Sequence, residues 1–367
     1  MRKKHKDESL TKKVLVSIMV AGVMSGFVFQ AEAADEMDIL NVDGKQTIEK
    51  TNETFTKVRA MGGGDITLNG GSITGNKEKQ TDDEDDSVIA FDVAAEIASG
   101  SVLTANDVAF TGEIRAHESG KIILKGGSVT SGHRYTDKGP KDGDGTDIGA
   151  FDKGSSIELY HVKINSNLGA FDGGVITVND SDVNADTAIY TEGQDAHISL
   201  ISKKGNNTYN IGEYGVEAEN GSAIDITGGK VNTSYLVANE NTKITANKAD
   251  ISAREGIWAS GKNAIVTLDG METNTYTVEK GIIAENGGKI YINGGTLTDN
   301  ALRTKMYKVQ DAEEKKSSII QRLKALFSIR MVSFLLCLIR FTRSPHQLQK
   351  KNPVLLPMKA STLKAAD

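Results

Sequence analysis

The sequence predicts an all-β fold, a right-handed single-stranded parallel β-helix (a solenoid) of about ten coils, ending in a basic C-terminal tail of different composition. Three observations predict it: a phrase that returns about every 20 residues, an apolar/polar alternation of period two within each phrase, and Gly-Gly pairs at fixed places between phrases.

Arg2, Lys3, Lys4, Lys6, Lys12 and Lys13 precede an apolar run from Val14 to Phe29, which is followed by Ala31-Glu32-Ala33. This is the pattern of a secretory signal cleaved after Ala33. The run falls short of the about 20 apolar residues that span a bilayer. Residues 34–61 then read as an N-terminal cap or leader, 62–302 as the β-helix and 303–367 as the tail.

Compare Ile66-Thr67-Leu68-Asn69-Gly70-Gly71-Ser72-Ile73-Thr74 with Ile122-Ile123-Leu124-Lys125-Gly126-Gly127-Ser128-Val129-Thr130, and with Ile290-Tyr291-Ile292-Asn293-Gly294-Gly295-Thr296-Leu297-Thr298. Taking the first apolar residue of each phrase as an anchor yields ten: Ile66, Leu103, Ile122, Ile157, Ile176, Ile198, Ile224, Ile244, Val266 and Ile290. The residue two positions on is apolar in all of them, from Leu68 to Ile292, and the one between is mostly polar. Such alternation marks a strand with one buried face.

Seven positions after the anchor a second strand reads Ile73, Phe110, Val129, Ile164, Val183, Val231, Ile251, Thr273 and Leu297. The Ile198 coil places Gly205 there, and a shift of four residues to Tyr209 restores the column, so a small bulge is expected. The next position forms a polar column of Thr74, Thr111, Thr130, Asn165, Asn184, Asn210, Asn232, Ser252, Asn274 and Thr298, suited to a hydrogen-bonded ladder. A third strand carries Ile114-x-Ala116, Val216-x-Ala218, Leu236-x-Ala238, Ile257-x-Ala259 and Ile282-x-Ala284. In two coils Gly149-x-Phe151 and Gly169-x-Phe171 read as a small-large exchange that conserves core volume. With strands about 4.8 Å apart, ten coils would extend on the order of 50 Å.

Charge is uneven along the chain. Residues 34–302 hold 23 Lys and Arg against 42 Asp and Glu, a net of −19, whereas 303–367 hold 14 against 4, a net of +10. An acidic body argues against a nucleic-acid partner, which needs a concentrated basic face. The body contains no cysteine, so neither a disulfide nor a cysteine-based metal site is available to it.

The glycine-paired phrases from Gly62 to Asn300, the signal sequence and the cysteine-free body resemble the passenger region of bacterial autotransporters, the type V secreted proteins. The resemblance implies a monomeric, adhesin-like protein displayed at the cell surface or released. It would meet a host-cell or bacterial surface ligand or glycan, and would associate with the outer membrane only if a barrel partner is supplied. Without a translocator the periplasm is the expected destination. The tail departs from that family, being too short for a large barrel. It admits three readings: an out-of-frame or truncated end, which the simultaneous stop of repeat, charge and composition near Arg303 favours, a basic anchoring segment, or an interaction helix around Lys315 to Arg330.

Enzymatic chemistry on such a scaffold needs clustered carboxylates from adjacent coils. The outward column beside the anchors offers only Glu158 and Asp225, with Thr177 and Ser199 between them. His117, His133, His161 and His197 lie near turns or in an insert and read as solvated side chains. No catalytic residue and no organic cofactor is therefore expected. The alternatives are a polysaccharide-active, pectate-lyase-like enzyme and a remnant that has lost its function.

Two inserts follow Thr74 and Thr130, at equivalent places in their coils. They carry Asp82, Asp83, Asp85 and Asp86 in one and Asp142, Asp144 and Asp147 in the other. Their roots should lie about 10 Å apart, with one coil between. This many hard oxygen ligands predicts weak Ca²⁺ binding, with a dissociation constant of about 10⁻⁴ to 10⁻³ M. Calorimetry at about 150 mM salt should show a saturable heat that Asp85→Asn with Asp144→Asn abolishes; a heat that sodium reproduces at equal ionic strength refutes the site.

Overall fold

The computed structural model describes residues 38–81, 88–132, 134–136, 139–141 and 147–299, and the regular structure among them is entirely β-strand. Each coil contributes one strand to an 11-stranded parallel sheet, from Thr47–Thr51 through Asp65–Asn69 to Lys289–Asn293. The second and third strands of the coils, with the inserts, make up a 23-stranded sheet. The fold is an all-β parallel solenoid of about ten turns.

The anchors stack one on another. Ile157 pairs with Ile176, Ile176 with Ile198, Ile198 with Ile224 and Ile224 with Ile244, while two residues on Leu159, Val178, Leu200, Ile226 and Ala246 run in parallel. These side chains are fully buried. Alternation puts the residue between them on the other face, which is why it is polar. The stack begins one coil ahead of the ten anchors: Ile48 pairs with Ile66 and Lys50 with Leu68. Lys50, whose ammonium bonds Glu53 at 3.3 Å, breaks the apolar column there and hides this coil from the repeat.

The second-strand ladder runs Phe110, Val129, Ile164, Val183, Tyr209, Val231, Ile251. Tyr209 thus occupies the column as the four-residue shift requires. The next coil differs from expectation: Ile251 pairs with Tyr276, and Ser252 with Thr277, displacing Thr273 and Asn274 from their columns. Three extra residues form a turn here, closed by the Asn274 amide donating to the Met271 carbonyl at 3.0 Å and the Met271 amide to Asn274 Oδ1 at 2.9 Å. A fixed count lands on Thr273, whose β-branched side chain passes for a strand residue and conceals the slip.

The third strand needs a second correction. Ile114 pairs with Ile148 and Ala116 with Ala150, and these with Leu168 and Ala170, so the two coils keep the large-small pair and exchange nothing. Gly149, Phe151, Gly169 and Phe171 lie one residue out of that register, on the outward face. There the Phe151 and Phe171 rings stack with centroids 5.1 Å apart and planes within 7°. The exchange occurs instead at Ala95-x-Ile97, beside Val58-x-Ala60.

Turns between strands place a residue in the left-handed region, mostly Asn, Asp or Gly. At Gly127, φ is 71° and a Cβ would lie 2.1 Å from the Val108 carbonyl oxygen of the previous coil, so the second glycine of the pair is required by close approach as well as by torsion.

Replacing Ile226 by Asp would bury an unpaired carboxylate in the anchor stack, at a cost of several kcal/mol. Asp225→Asn, one residue away on the outward face, should cost under about 1 kcal/mol. Urea titration of both variants checks the register, and equal tolerance would refute it.

Candidate functional site

The first insert leaves the second strand after Ile73 as Asn76–Thr81 and returns antiparallel along Val88–Ile97, with Asn76 opposite Val93 and Thr81 opposite Val88. The second pairs Arg134–Thr136 with Gly139–Lys141. The inserts also pair with each other, since Arg134 lies antiparallel to Phe91 and Tyr135 to Ala90. One antiparallel sheet therefore joins inserts 45 residues apart in sequence, counting from Tyr135 to Ala90. Of the seven aspartates expected to gather there, Asp82, Asp83, Asp85, Asp86, Asp142 and Asp144 fall outside the described residues. Asp147 opens the strand Asp147–Phe151, its backbone paired with Asn167. Among the described residues no group of three His, Cys, Asp or Glu side chains is placed to hold a metal ion. The returning strand Val88–Ile97 is twice the length of most coil strands, because it continues from the hairpin into the third strand of its coil.

Beside this sheet, the outward face of the third strands holds a buried ionic cluster. Lys57 Nζ donates to Glu96 Oε2 at 2.9 Å, Arg59 Nε lies 3.5 Å from the same oxygen, and His117 Nε2 lies 3.4 Å from Glu96 Oε1. Glu113 accepts from Arg115 at 2.5 Å. Lys57, Glu96, Glu113 and His117 are all buried. Burial pushes the Glu96 carboxyl upward, but the hydrogen bonds and charges of His117, Lys57 and Arg59 outweigh it and hold the group well below the usual carboxylate range. His117 is therefore not the solvated side chain that its place near a turn suggests: it follows Ala116 and closes over Glu96. His161 is exposed, with φ of 56° at a left-handed turn position.

On the 11-stranded sheet the outward acids are engaged by neighbours. Glu158 accepts from Lys121 at 2.6 Å and from the Tyr160 hydroxyl at 2.7 Å, and these bonds lower its pKa. Asp225 lies 3.0 Å from His197 Nε2, whose hydrogen bond holds it below the usual range. Ser199 Oγ lies 3.2 Å from that same nitrogen. A serine triad requires the two ring nitrogens to serve the hydroxyl and the acid separately. Here one nitrogen faces both, so this trio cannot pass a proton from serine to an acid-oriented imidazole.

A groove of about 380 Å³ runs along the corner between second and third strands. It is lined by Asn184 and Asp186, Asn210, Asn232, Ser252 and Arg254, which come from four successive coils. The asparagines form the expected ladder: Asn184 Nδ2 donates to Asn165 Oδ1 at 3.1 Å, Asn210 to Asn184 at 2.8 Å and Asn232 to Asn210 at 2.8 Å. Arg254 is exposed and donates from Nη2 to Ser234 Oγ at 2.6 Å. The column itself was visible in the sequence; that the corner beside it opens into a groove was not.

In comparisons with protein-family models, curated proteins and solved structures, nothing matches this chain.

Glu96→Gln withdraws the central carboxylate from a buried ionic cluster, which should cost about 3 kcal/mol at neutral pH. Because the folded-state pKa is depressed, this contribution is fully present above the unfolded-state value of about 4.3 and is lost as pH falls toward the folded-state value. The difference in urea midpoint between wild type and E96Q should be constant from about pH 8 to 5 and shrink below about 4.3; a difference that grows in acid would contradict the assignment.

Proposed function

We propose that the chain is an exported, non-enzymatic display protein of the autotransporter-passenger kind, presenting the faces and inserts of a solenoid to a cell-surface ligand. One observation carries the reading more than any other. The outward acids are engaged by neighbouring side chains, Glu96 by Lys57, Arg59 and His117, Glu158 by Lys121 and Tyr160, Asp225 by His197, Glu192 and Glu219 by the Tyr190 hydroxyl, and Glu217 and Glu219 by the Asn239 amide, whereas the inserts and the corner groove are elaborated on the stack. Loops and edges on a rigid scaffold are where binding concentrates. The basic, apolar and small-residue pattern of residues 1–33 supports export. Weak calcium binding by the insert aspartates, as the calorimetric test would show it, would belong to the same reading.

Expressed from its own start in a diderm bacterium, the chain should appear outside the cytoplasm with Ala34 as its new N-terminus, by N-terminal sequencing of the fractionated product. Beads coated with the purified chain should adhere to target cells, and a reducing-sugar assay on acidic glycans should stay at background. An uncleaved cytoplasmic product, or steady release of reducing ends, would overturn the proposal.

A further inference from the structure

We propose that the corner groove binds an uncharged, hydroxyl-rich oligosaccharide of about three sugars laid along the coil axis. This deepens the display reading and rests on it. Four consecutive coils line the groove, so its floor spans three steps of about 4.8 Å, or about 14 Å, and one pyranose ring covers about one step.

The floor is preorganised for hydroxyl groups. In the ladder Asn184 and Asn210 each use one N–H and one oxygen lone pair on their neighbours, and Asn232 uses one N–H. An asparagine has a second N–H and a further lone pair. At Asn184 and Asn210, which are exposed, and at Asn232, which is half-buried, these remain for a ligand and recur at the coil spacing. A hydroxyl both donates and accepts, so a sugar can meet each rung. The ladder also locks the amide rotamers, removing an entropy cost that a free asparagine would incur on binding.

Charge and shape narrow the class. Exposed Asp186 comes from the first of the four lining coils and exposed Arg254 from the last, giving one charge of each sign. Among the described residues Arg254 has no ion pair and bonds only Ser234. The acidic body, net −19 over residues 34–302, repels polyanions. Tyr235, next to Ser234, stacks on Trp258 with centroids 5.0 Å apart, and both rings are half-exposed. The two rings belong to the strands that carry Ser234 and Arg254, Lys230–Ala238 and Asp250–Ser260, outside the groove's lining, and offer an aromatic face to a sugar that extends past it. A peptide fits less well, because the central strands beneath the groove are paired on both sides and leave no open edge for strand addition.

Binding is read as heat by calorimetry, because the sole tryptophan, Trp258, is not among the residues lining the groove. The full chain should be titrated with cellotetraose, chitotetraose and, as the charged counterpart of the latter, a hyaluronan tetrasaccharide. A saturable heat is expected with at least one of the two neutral sugars, and weaker binding of hyaluronan. Asn210→Ala, which removes a central rung, and Arg254→Gln should each weaken the neutral sugar by about tenfold, with the circular dichroism spectrum unchanged. No saturation with either neutral sugar, tighter binding of hyaluronan, or undiminished affinity in both variants overturns the site. Bead adhesion separates the two readings: adhesion that survives Asn210→Ala and Arg254→Gln sinks the groove and leaves display standing, while sugar binding by a chain that is never exported does the reverse.

Discussion

The register between successive coils, set by parallel backbone hydrogen bonds, is the constraint on which everything else in this protein depends. Each strand finds its partner about one turn away in sequence, and the pairing sets like residue over like from Ile157 to Val266 without a shift. A one-residue slip in any first strand would carry its whole apolar set to the outward face. The buried anchors thus enforce the register and the register keeps the anchors buried. Each coil is bonded chiefly to the coils above and below, so stability accumulates by neighbours, as in other repeat architectures. No disulfide is needed, and the described body has no cysteine to make one.

That arrangement also explains which parts of the fold were legible. Period-two alternation and stacking are local and repeated, so the strands, the anchors, the Tyr209 shift and the asparagine ladder could all be counted out from the sequence. Counting fails where two lengths give acceptable chemistry. Thr273 passes for a strand residue, yet the turn at Met271 moves the column to Tyr276. In the third strand Ile148-Gly149-Ala150-Phe151 can be framed two ways, since both frames pair a small residue with a large one, and backbone pairing with Ile114 decides between them. The first coil was hidden by Lys50. Contacts between distant outward residues, such as Lys57 with Glu96 or the two insert hairpins with each other, leave no periodic trace at all.

The outward faces divide the labour of the molecule. Toward the N-terminal coils, where the inserts pair, the third-strand face is ionic and buried at Lys57, Glu96, Glu113 and His117. Burying Lys57, Glu96 and Glu113 is tolerated only because each faces an opposite charge within hydrogen-bond or ion-pair reach, with His117 Nε2 against Glu96. Such a cluster is specific about geometry even where it adds little net stability, and it lies beside the strand Val88–Ile97 that connects both inserts. Further along, the same face turns aromatic, with Phe151, Phe171 and Tyr190 in succession. Regular coils can carry such different faces because the core beneath them does not change.

The polar column shows the same principle at finer scale. It reads Thr74, Thr111 and Thr130 in the early coils, Asn165, Asn184, Asn210 and Asn232 in the middle, and Ser252, Thr277 and Thr298 at the end. Threonine is the better strand residue and asparagine a poor one, by a margin within the about 1 kcal/mol span of strand propensities. Hydrogen bonds between exposed amides return only part of that, because water competes for them. Four consecutive asparagines are therefore not what strand stability alone would select. Three of them lie in coils whose corners differ in length: Ile189 comes six positions after Val183, Val216 seven after Tyr209, and Leu236 five after Val231. Uneven corners open a groove, and the ladder lines it with fixed donors and acceptors. A stack whose core is indifferent to what its corners do can acquire a binding surface in this way without altering its register.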